Sequence, residues 1–154
     1  MQFVHISFSR LPHAHGIPLP EYKTEGSSGM DLFAALAEDK PVELLPGMRS
    51  LIPGGYVVAL PPGYEGQIRS RSGLALDHGI SCLNSPGTID SDYRGEIKIL
   101  LINLGQENFL ITRGMRIAQL VIANSVCVRA NLVSEIPIEK SERGNKGFGS
   151  TGLY

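Results

Sequence analysis

The C-terminal residues combine side chains and backbone that could bind a phosphorylated ligand. Residues 143–152 contain four glycines together with Arg143, Phe148, Ser150 and Thr151. Glycine lets backbone N–H groups approach an anion closely, and an arginine guanidinium matches phosphate oxygens. Phe148 offers a flat apolar ring on which a base could lie. The segment therefore predicts either part of a nucleotide site or a polar chain end without a binding role, since Gly-rich termini are common.

A second cluster of the same chemical type lies in the interior of the sequence. Arg71, Ser72 and Gly73 place a guanidinium, a hydroxyl and a glycine backbone at the end of a predicted strand. These groups suit phosphate oxygens. The alternative is a serine-containing turn with a solvated arginine, and both interpretations fit this cluster when it is taken alone.

Residues 84–95 carry polar side chains around a Pro-Gly pair and predict a β-hairpin. Asn84 has both a donor and an acceptor, so it can match the edge of a pyrimidine. Asp90 could accept a proton from a water, and Tyr93 could pack flat on a sugar. A plain hairpin, in which aspartates bond their own turn, is the alternative.

A third group pairs Asp31 with the stretch that contains Arg116 and Gln119. A structural Asp–Arg ion pair and a catalytic role for Asp31 are equally compatible with this pattern. Gln119 lies in an otherwise apolar stretch, so it needs a polar partner if it is buried.

The elements that must position these groups are mostly β-strands. The 18 glycines and 10 prolines are spread along the chain and divide it into short segments, which favours a sandwich, jelly roll or barrel. We expect a short helical turn at 72–78. The predicted strands are 4–8, 42–45, 51–52, 56–60, 66–68, 97–104 and 117–123, the last two buried on both faces.

Composition limits the possible classes of protein. The net charge is −1, so a bulk attraction to nucleic acid or to an anionic membrane is not expected. No stretch is apolar enough to cross a bilayer, and the histidines and cysteines show no zinc-ligand spacing. Cys82 and Cys127 predict buried, reduced thiols in a cytoplasmic protein. We expect a β domain over 1–138 and a flexible C-terminal arm over 139–154.

Together these segments resemble the trimeric dUTPase family. Its five motifs occur in order and cover almost the whole chain; here they read Ser-Gly-Met-Asp-Leu at 28–32, Arg-Ser-Gly-Leu-Ala at 71–75, Gly-Thr-Ile-Asp-Ser-Asp-Tyr-Arg-Gly at 87–95, Arg-Ile-Ala-Gln-Leu at 116–120, and the tail. The resemblance implies an all-β jelly roll, or distorted barrel, that forms a homotrimer. It also implies hydrolysis of dUTP to dUMP and pyrophosphate, in which water attacks the α-phosphorus.

The resemblance assigns a role to each candidate residue. Asp90 would orient and deprotonate the water, and Tyr93 would stack under the deoxyribose. The other substrate-binding residues would be Arg71, Ser72, Gly73, Asn84, Thr88, Ile89, Lys98, Gln119, Arg143, Phe148, Gly149, Ser150 and Thr151.

The resemblance also implies a metal and a shared site. Mg²⁺ would bind to the triphosphate, and Asp31 would contact the ion only through a water molecule. Each site would combine the 84–95 segment of one chain, the Arg71 cluster of a second and the tail of a third, which would close as a lid. One departure concerns Lys146, because the family more often has glycine there.

Two alternatives stay open. The related dCTP deaminases use a glutamate in the strand after the hairpin, where this chain has Leu100, and a leucine cannot move protons. The other alternative is a regulatory binding protein that uses nucleotide occupancy as a switch, with or without turnover.

Overall fold

The computed structural model describes residues 3–136, 141–142 and 144–145. Within these residues the chain forms eleven β-strands, one short α-helix and a single 3₁₀ turn at Pro12–Ala14. In chain order the elements are β1 (Ser7–Arg10), β2 (Gly29–Phe33), β3 (Val42–Leu44), β4 (Arg49–Pro53), β5 (Tyr56–Ala59), β6 (Tyr64–Arg69), α1 (Ser72–His78), β7 (Ile80–Cys82), β8 (Gly87–Ile89), β9 (Lys98–Asn103), β10 (Phe109–Ile111) and β11 (Arg116–Asn124).

The strands pair only with antiparallel neighbours in the described part of the chain. One sheet has the order β2-β11-β6-β8 and a second has the order β4-β9-β7, while β1 pairs with β5 and β3 with β10. The longest strand, β11, lies between β2 and β6 and holds the first sheet together. The predicted all-β jelly roll is confirmed.

Apolar residues that alternate along the strands build one core. In β9, Ile99 and Leu101 are buried while Leu100 and Ile102 are half-buried. Each buried leucine or isoleucine of this kind contributes about 1.5–3 kcal/mol. Strands 97–104 and 117–123 were expected to be buried on both faces. In the single chain that expectation is wrong, because alternate residues of β9 and the three consecutive residues 121–123 of β11 stay half-buried.

A fully buried asparagine lies inside this core. Asn103 is buried, and its amide nitrogen donates to the carbonyls of Leu44 at 2.8 Å and Glu107 at 2.7 Å. Its amide oxygen accepts the N–H of Gly105 at 2.9 Å. The three bonds satisfy the side chain and join the end of β9 to the end of β3 and to the loop before β10.

Most predicted elements occur where the sequence placed them. The helical turn at 72–78 is α1, and six of the seven predicted strands overlap β3, β4, β5, β6, β9 and β11 over most of their length. The predicted strand 4–8 coincides with β1 only at residues 7–8. Strands β2, β7 and β10 were not predicted, and β8 was predicted only as part of a hairpin. β7, β8 and β10 have three residues each, too few to show a period of two.

The predicted hairpin at 84–95 is wrong. β8 pairs with β6 through the positions Ile68↔Gly87 and Gly66↔Ile89, whereas β7, on the other side of the Pro-Gly bend, pairs with β9 in the other sheet. Ile89 is buried, and a Cβ on Gly66 would lie 3.2 Å from its Cβ, so Gly66 leaves the space that Ile89 fills. Burial of Ile89 against β6 therefore outweighs the local Pro-Gly turn signal.

The two cysteines differ in their exposure to solvent. Cys82 is buried as expected, and its burial raises the pKa of its thiol above 9.0 although a hydrogen bond to Ser70 opposes the shift. Cys127 is exposed in the single chain, so that half of the expectation is wrong. No helix among residues 3–136 is long and apolar enough to cross a membrane.

Candidate active site

The Arg71 cluster forms a pocket at the point where β6 passes into α1. Arg71 precedes the helix in an extended conformation, and Ser72 and Gly73 are its first two residues. Gly79 ends the helix with a positive φ of 69°, which glycine adopts without strain. The pocket has a volume of about 260 Å³, and its walls are Arg71, Ser72, Gly73, Leu74, Asp77, His78 and Gln119. The structure thus brings four of the predicted phosphate-side residues together.

Gln119 reaches this pocket from β11. It is opposite Asp31 on β2 and Arg69 on β6, so the three residues form a polar row across the sheet. Its side chain lies over Gly29, where an added Cβ would be 3.3 Å from its amide oxygen. Gly29 therefore makes room for Gln119, a contribution that the sequence analysis missed because a glycine in a motif does not show which side chain lies over it.

Asp31 joins the two arginines behind the pocket. The Asp31 side chain is 8% exposed, with Oδ1 3.3 Å from Arg71 Nε and Oδ2 3.3 Å from Arg116 Nη1. Arg71 Nη1 also donates to the Arg116 carbonyl at 3.1 Å. The structural Asp–Arg pair is confirmed, and the contact with Arg71 adds that Asp31 orients a residue of the pocket. Among the described residues, Asp31 Oδ1 accepts no hydrogen bond.

The pyrimidine-side candidates lie on and around β8. Asn84, Thr88 and Asp90 are exposed, whereas the Ile89 side chain is buried. Any contact that Ile89 makes with a ligand must therefore come from its backbone. Lys98 is exposed at the start of β9.

A turn after β8 holds Asp90 and Tyr93. The Tyr93 N–H donates to the Asp90 carbonyl at 3.1 Å. The Tyr93 side chain is 43% exposed, and its hydroxyl donates to the Glu96 carbonyl at 3.0 Å. The turn leaves the Asp90 carboxylate free toward solvent and gives the Tyr93 ring a defined direction.

Asp90 and Arg71 of one chain lie far apart. Since Ile89 pairs with Gly66, Asp90 is level with Glu65, six residues before Arg71. At about 3.3 Å per strand residue, this separation is roughly 20 Å along β6. The chain therefore presents two groups of candidate residues, one at each end of β6, and does not bring them together by itself.

The tail candidates Arg143, Phe148, Gly149, Ser150 and Thr151 lie outside the described residues, as does Lys146. The predicted boundary at 138/139 also falls outside them. In the part of the chain that the structure describes, no three His, Cys, Asp or Glu side chains converge to hold a metal.

Comparison with known proteins decides the family. Residues 15–152 match the dUTPase family model. The chain belongs to the dUTPase family. The deoxyuridine 5'-triphosphate nucleotidohydrolase of Bartonella quintana (strain Toulouse) is a dUTPase relative with 60% identity, and the match covers 98% of this chain and 85% of that protein.

Solved dUTPase structures are similar in fold to this chain. The Staphylococcus bacteriophage 80alpha dUTPase with dUPNHPP has a TM-score of 0.80 at 28% identity, covering 97% of this chain and 99% of that chain. A mutant dUTPase from phage phi11 of S. aureus, described for its coordination of a structural Mg(II) ion, has a TM-score of 0.74 at 23% identity, covering 85% of this chain and 97% of that chain.

Proposed function

We propose that this protein hydrolyses dUTP to dUMP and pyrophosphate in the cytoplasm, where it lowers dUTP and supplies dUMP for thymidylate synthesis. The observation that carries the proposal is the pocket of Arg71, Ser72, Gly73 and Gln119, backed by buried Asp31. It offers a guanidinium, a hydroxyl and a side-chain amide to phosphate oxygens. Family membership and the names of the relatives support the choice of dUTP.

Asp90 is the general base of the proposed reaction. Its backbone is fixed by the bond from the Tyr93 N–H, and its side chain is exposed. The carboxylate orients a water toward the α-phosphorus and accepts its proton as the bond to phosphorus forms and the bond to the leaving pyrophosphate breaks. Positioning of this water and neutralisation of charge account for the rate enhancement.

The residues around β8 select the base and the sugar. Asn84 presents a donor and an acceptor to the uracil edge, and the backbone of Thr88 and Ile89 adds further contacts. Cytosine would leave such groups mismatched, which discriminates strongly in a site built from hydrogen bonds. Tyr93 lies under the deoxyribose, where a 2′-hydroxyl would collide with the ring, and Lys98 stands beside the sugar.

The tail completes the phosphate side. In this proposal Arg143 binds the γ-phosphate, Gly149, Ser150 and Thr151 add backbone and hydroxyl donors, and Phe148 covers the uracil. A lid of this kind shields the phosphates from bulk water while the water oriented by Asp90 stays in the site, and it opens to release products.

The chain fits a magnesium ion that is carried by the substrate. The described residues offer no cluster of protein ligands, and Mg²⁺ binds readily through phosphates and water. In this proposal Asp31 reaches the metal only through water, although its Oδ1 is buried in the single chain and accepts no hydrogen bond from a described residue. When bound, the ion would neutralise phosphate charge, while Asp31 itself holds Arg71 and Arg116 in place.

A homotrimer with shared sites explains the separation of Asp90 from Arg71. Surface left open in the single chain supports it: Leu51, 55% exposed, is opposite half-buried Leu100 on the outer face of the β4-β9-β7 sheet. After β11 the chain also exposes apolar side chains, Val126, Val128, Leu132, Val133 and Ile136. Contacts with second and third chains would cover these side chains and bring Asp90 of one chain to the Arg71 pocket of another.

A substrate panel tests the proposal. Purified protein with Mg²⁺ is given dUTP, dTTP, dCTP and UTP, and the products are identified. We expect rapid release of dUMP and pyrophosphate from dUTP alone. Absence of turnover would overturn the enzymatic proposal and favour a regulatory binding protein, and ammonia released from dCTP would instead show a deaminase.

Asp90→Asn tests the assignment of the base, with Asp92→Asn as the matched control at a nearby exposed carboxylate. We expect Asp90→Asn to lower kcat by about 10²–10⁴-fold with little change in nucleotide binding. The control should stay within a few-fold of the unaltered protein. Near-normal turnover by Asp90→Asn would mean that another group is the base.

A further inference from the structure

The Tyr93 ring rests directly on the backbone of Gly95. A Cβ built on Gly95 would lie 2.3 Å from the Tyr93 hydroxyl oxygen and 2.6 Å from Cζ, whereas ordinary contacts are 3.4–4 Å. The glycine therefore leaves the space that the outer edge of the ring occupies. Any side chain at residue 95 would displace the ring by about 1 Å or more.

The backbone conformation does not itself require glycine at this residue. Positive φ angles occur at several other glycines of the chain but not at Gly95. An alanine could thus adopt the same backbone conformation, and the atoms it would meet belong to the end of one side chain rather than to backbone. The cost of a Cβ at residue 95 falls on the position of Tyr93 rather than on the fold.

The Tyr93 hydroxyl is held by Glu96, the residue after Gly95. It donates to the Glu96 carbonyl at 3.0 Å. The Glu96 carboxylate oxygen Oε1 in turn accepts the Gly55 N–H at 3.0 Å and lies 2.8 Å from His13 Nε2. Glu96 is thereby tied to two distant segments of the chain, and its carbonyl is a firm anchor for the phenol.

Ile97, which follows Glu96, holds this segment against the core. The Ile97 N–H donates to the Tyr56 carbonyl at 2.8 Å, and the Ile97 carbonyl accepts the Gly54 N–H at 2.9 Å. The Ile97 side chain is buried in the core. The Glu96 carbonyl is therefore one residue from a fully packed position, and Tyr93 is tied to the core through it.

We propose that Gly95 and Glu96 are positioning residues that set the discrimination between deoxyribose and ribose. Gly95 supplies the bare backbone on which the Tyr93 ring lies, and the Glu96 carbonyl holds its hydroxyl, so the ring presents a fixed face to the sugar. The proposal rests on the proposed function, in which Tyr93 contacts the deoxyribose. Because its hydroxyl is already bonded to Glu96, Tyr93 acts on the sugar through its ring.

The test compares Gly95→Ala with Gly26→Ala. Gly26 is a suitable control because a Cβ there would meet no atom within 4 Å and its φ is not positive. For each protein, kcat/KM is measured with dUTP and with UTP. A displacement of about 1 Å can change a rate by roughly 100-fold, so we expect Gly95→Ala to lower the dUTP:UTP ratio at least tenfold. The control should keep the ratio within twofold.

A double-mutant cycle shows whether Gly95 acts through Tyr93. Gly95→Ala is repeated in a Tyr93→Ala background, where no ring remains to be displaced. We expect the added alanine to leave the dUTP:UTP ratio unchanged there. A further loss of the same size in this background would overturn the proposal.

Tyr93→Phe keeps the test decisive if Gly95→Ala folds poorly. It removes the bond to the Glu96 carbonyl and keeps the ring, and we expect a fall in the ratio of about two- to tenfold. Equal losses for both substrates, or an unchanged ratio in Gly95→Ala and Tyr93→Phe, would overturn the inference. A lack of dUTP turnover by the unaltered protein would instead overturn the proposed function.

Discussion

Replacing Asp31 by asparagine removes the negative charge between Arg71 and Arg116 while keeping the size of the side chain. Each arginine lies 3.3 Å from one carboxylate oxygen. At this distance an ion pair is worth about 5 kcal/mol with an effective dielectric constant of about 20, and about 1.3 kcal/mol in bulk water. The Arg71 side chain is 27% exposed and that of Arg116 is 51% exposed, so solvent screens both pairs, the second more strongly.

The expected loss of stability lies between these limits. Removing one partner of a fully buried pair costs about 3–5 kcal/mol, and partial exposure of the two arginines reduces that figure. We therefore expect Asp31→Asn to lower the free energy of unfolding by about 2–3 kcal/mol. For a chain of this length, the corresponding fall in Tm is about 5–10 °C.

The assay is thermal and urea unfolding at one fixed protein concentration, because the proposed trimer would make the midpoint depend on concentration. Asp39→Asn is the matched control, since Asp39 is exposed, and its effect should stay within about 0.5 kcal/mol. High salt should reduce the difference between the two variants only in part, because the carboxylate is buried while the two arginines are partly exposed. Equal midpoints for the two variants would refute the argument that Asp31 holds the arginines.

Three further predictions follow from the fold, the thiol and the tail. Asn103→Leu leaves the hydrogen-bonding groups of Leu44, Glu107 and Gly105 without their partner and should cost about 3–5 kcal/mol in urea unfolding, against under about 1 kcal/mol for exposed Asn108→Leu. Because burial raises the pKa of Cys82 above 9.0, its thiol binds a proton more tightly in the folded protein than in the unfolded chain. The free energy of unfolding should therefore fall as pH rises above 9.0, and Cys82→Ala should lack this part of the pH dependence. Deletion of residues 142–154 should leave the assembly intact by light scattering and lower kcat/KM for dUTP at least 100-fold; normal turnover would exclude the tail from catalysis.

The long elements were predictable because their patterns extend over many residues. β11 and β9 are nine and six residues long and mainly apolar, and α1 has a serine at its start and a glycine just after its end. By contrast, β8 has three residues, and its partner β6 is almost twenty positions earlier. Nothing local in the sequence distinguishes that pairing from a hairpin across the Pro86-Gly87 bend, so the connection at 84–95 was predicted wrongly.

The identity of the pocket residues could be predicted, but the contacts between them could not. The Asp31–Arg116 pair was one of two interpretations, and the structure adds the contact with Arg71. Gly29 makes room for the Gln119 side chain and Gly95 makes room for the Tyr93 ring. Both contacts depend on where a side chain from another residue points in the folded chain. A single sequence records only that a glycine is present.

The placement of Asp90 and Arg71 at opposite ends of β6 has a genetic consequence. In the proposed trimer, a chain with Asp90→Asn still offers an intact arginine pocket, and a chain with Arg71→Ala still offers an intact base. When the two inactive proteins are unfolded, mixed and refolded together, each mixed trimer regains one complete site. Two defective alleles of this gene can therefore complement one another in the same cell, and a cell carrying either defective allele alone has no such remedy.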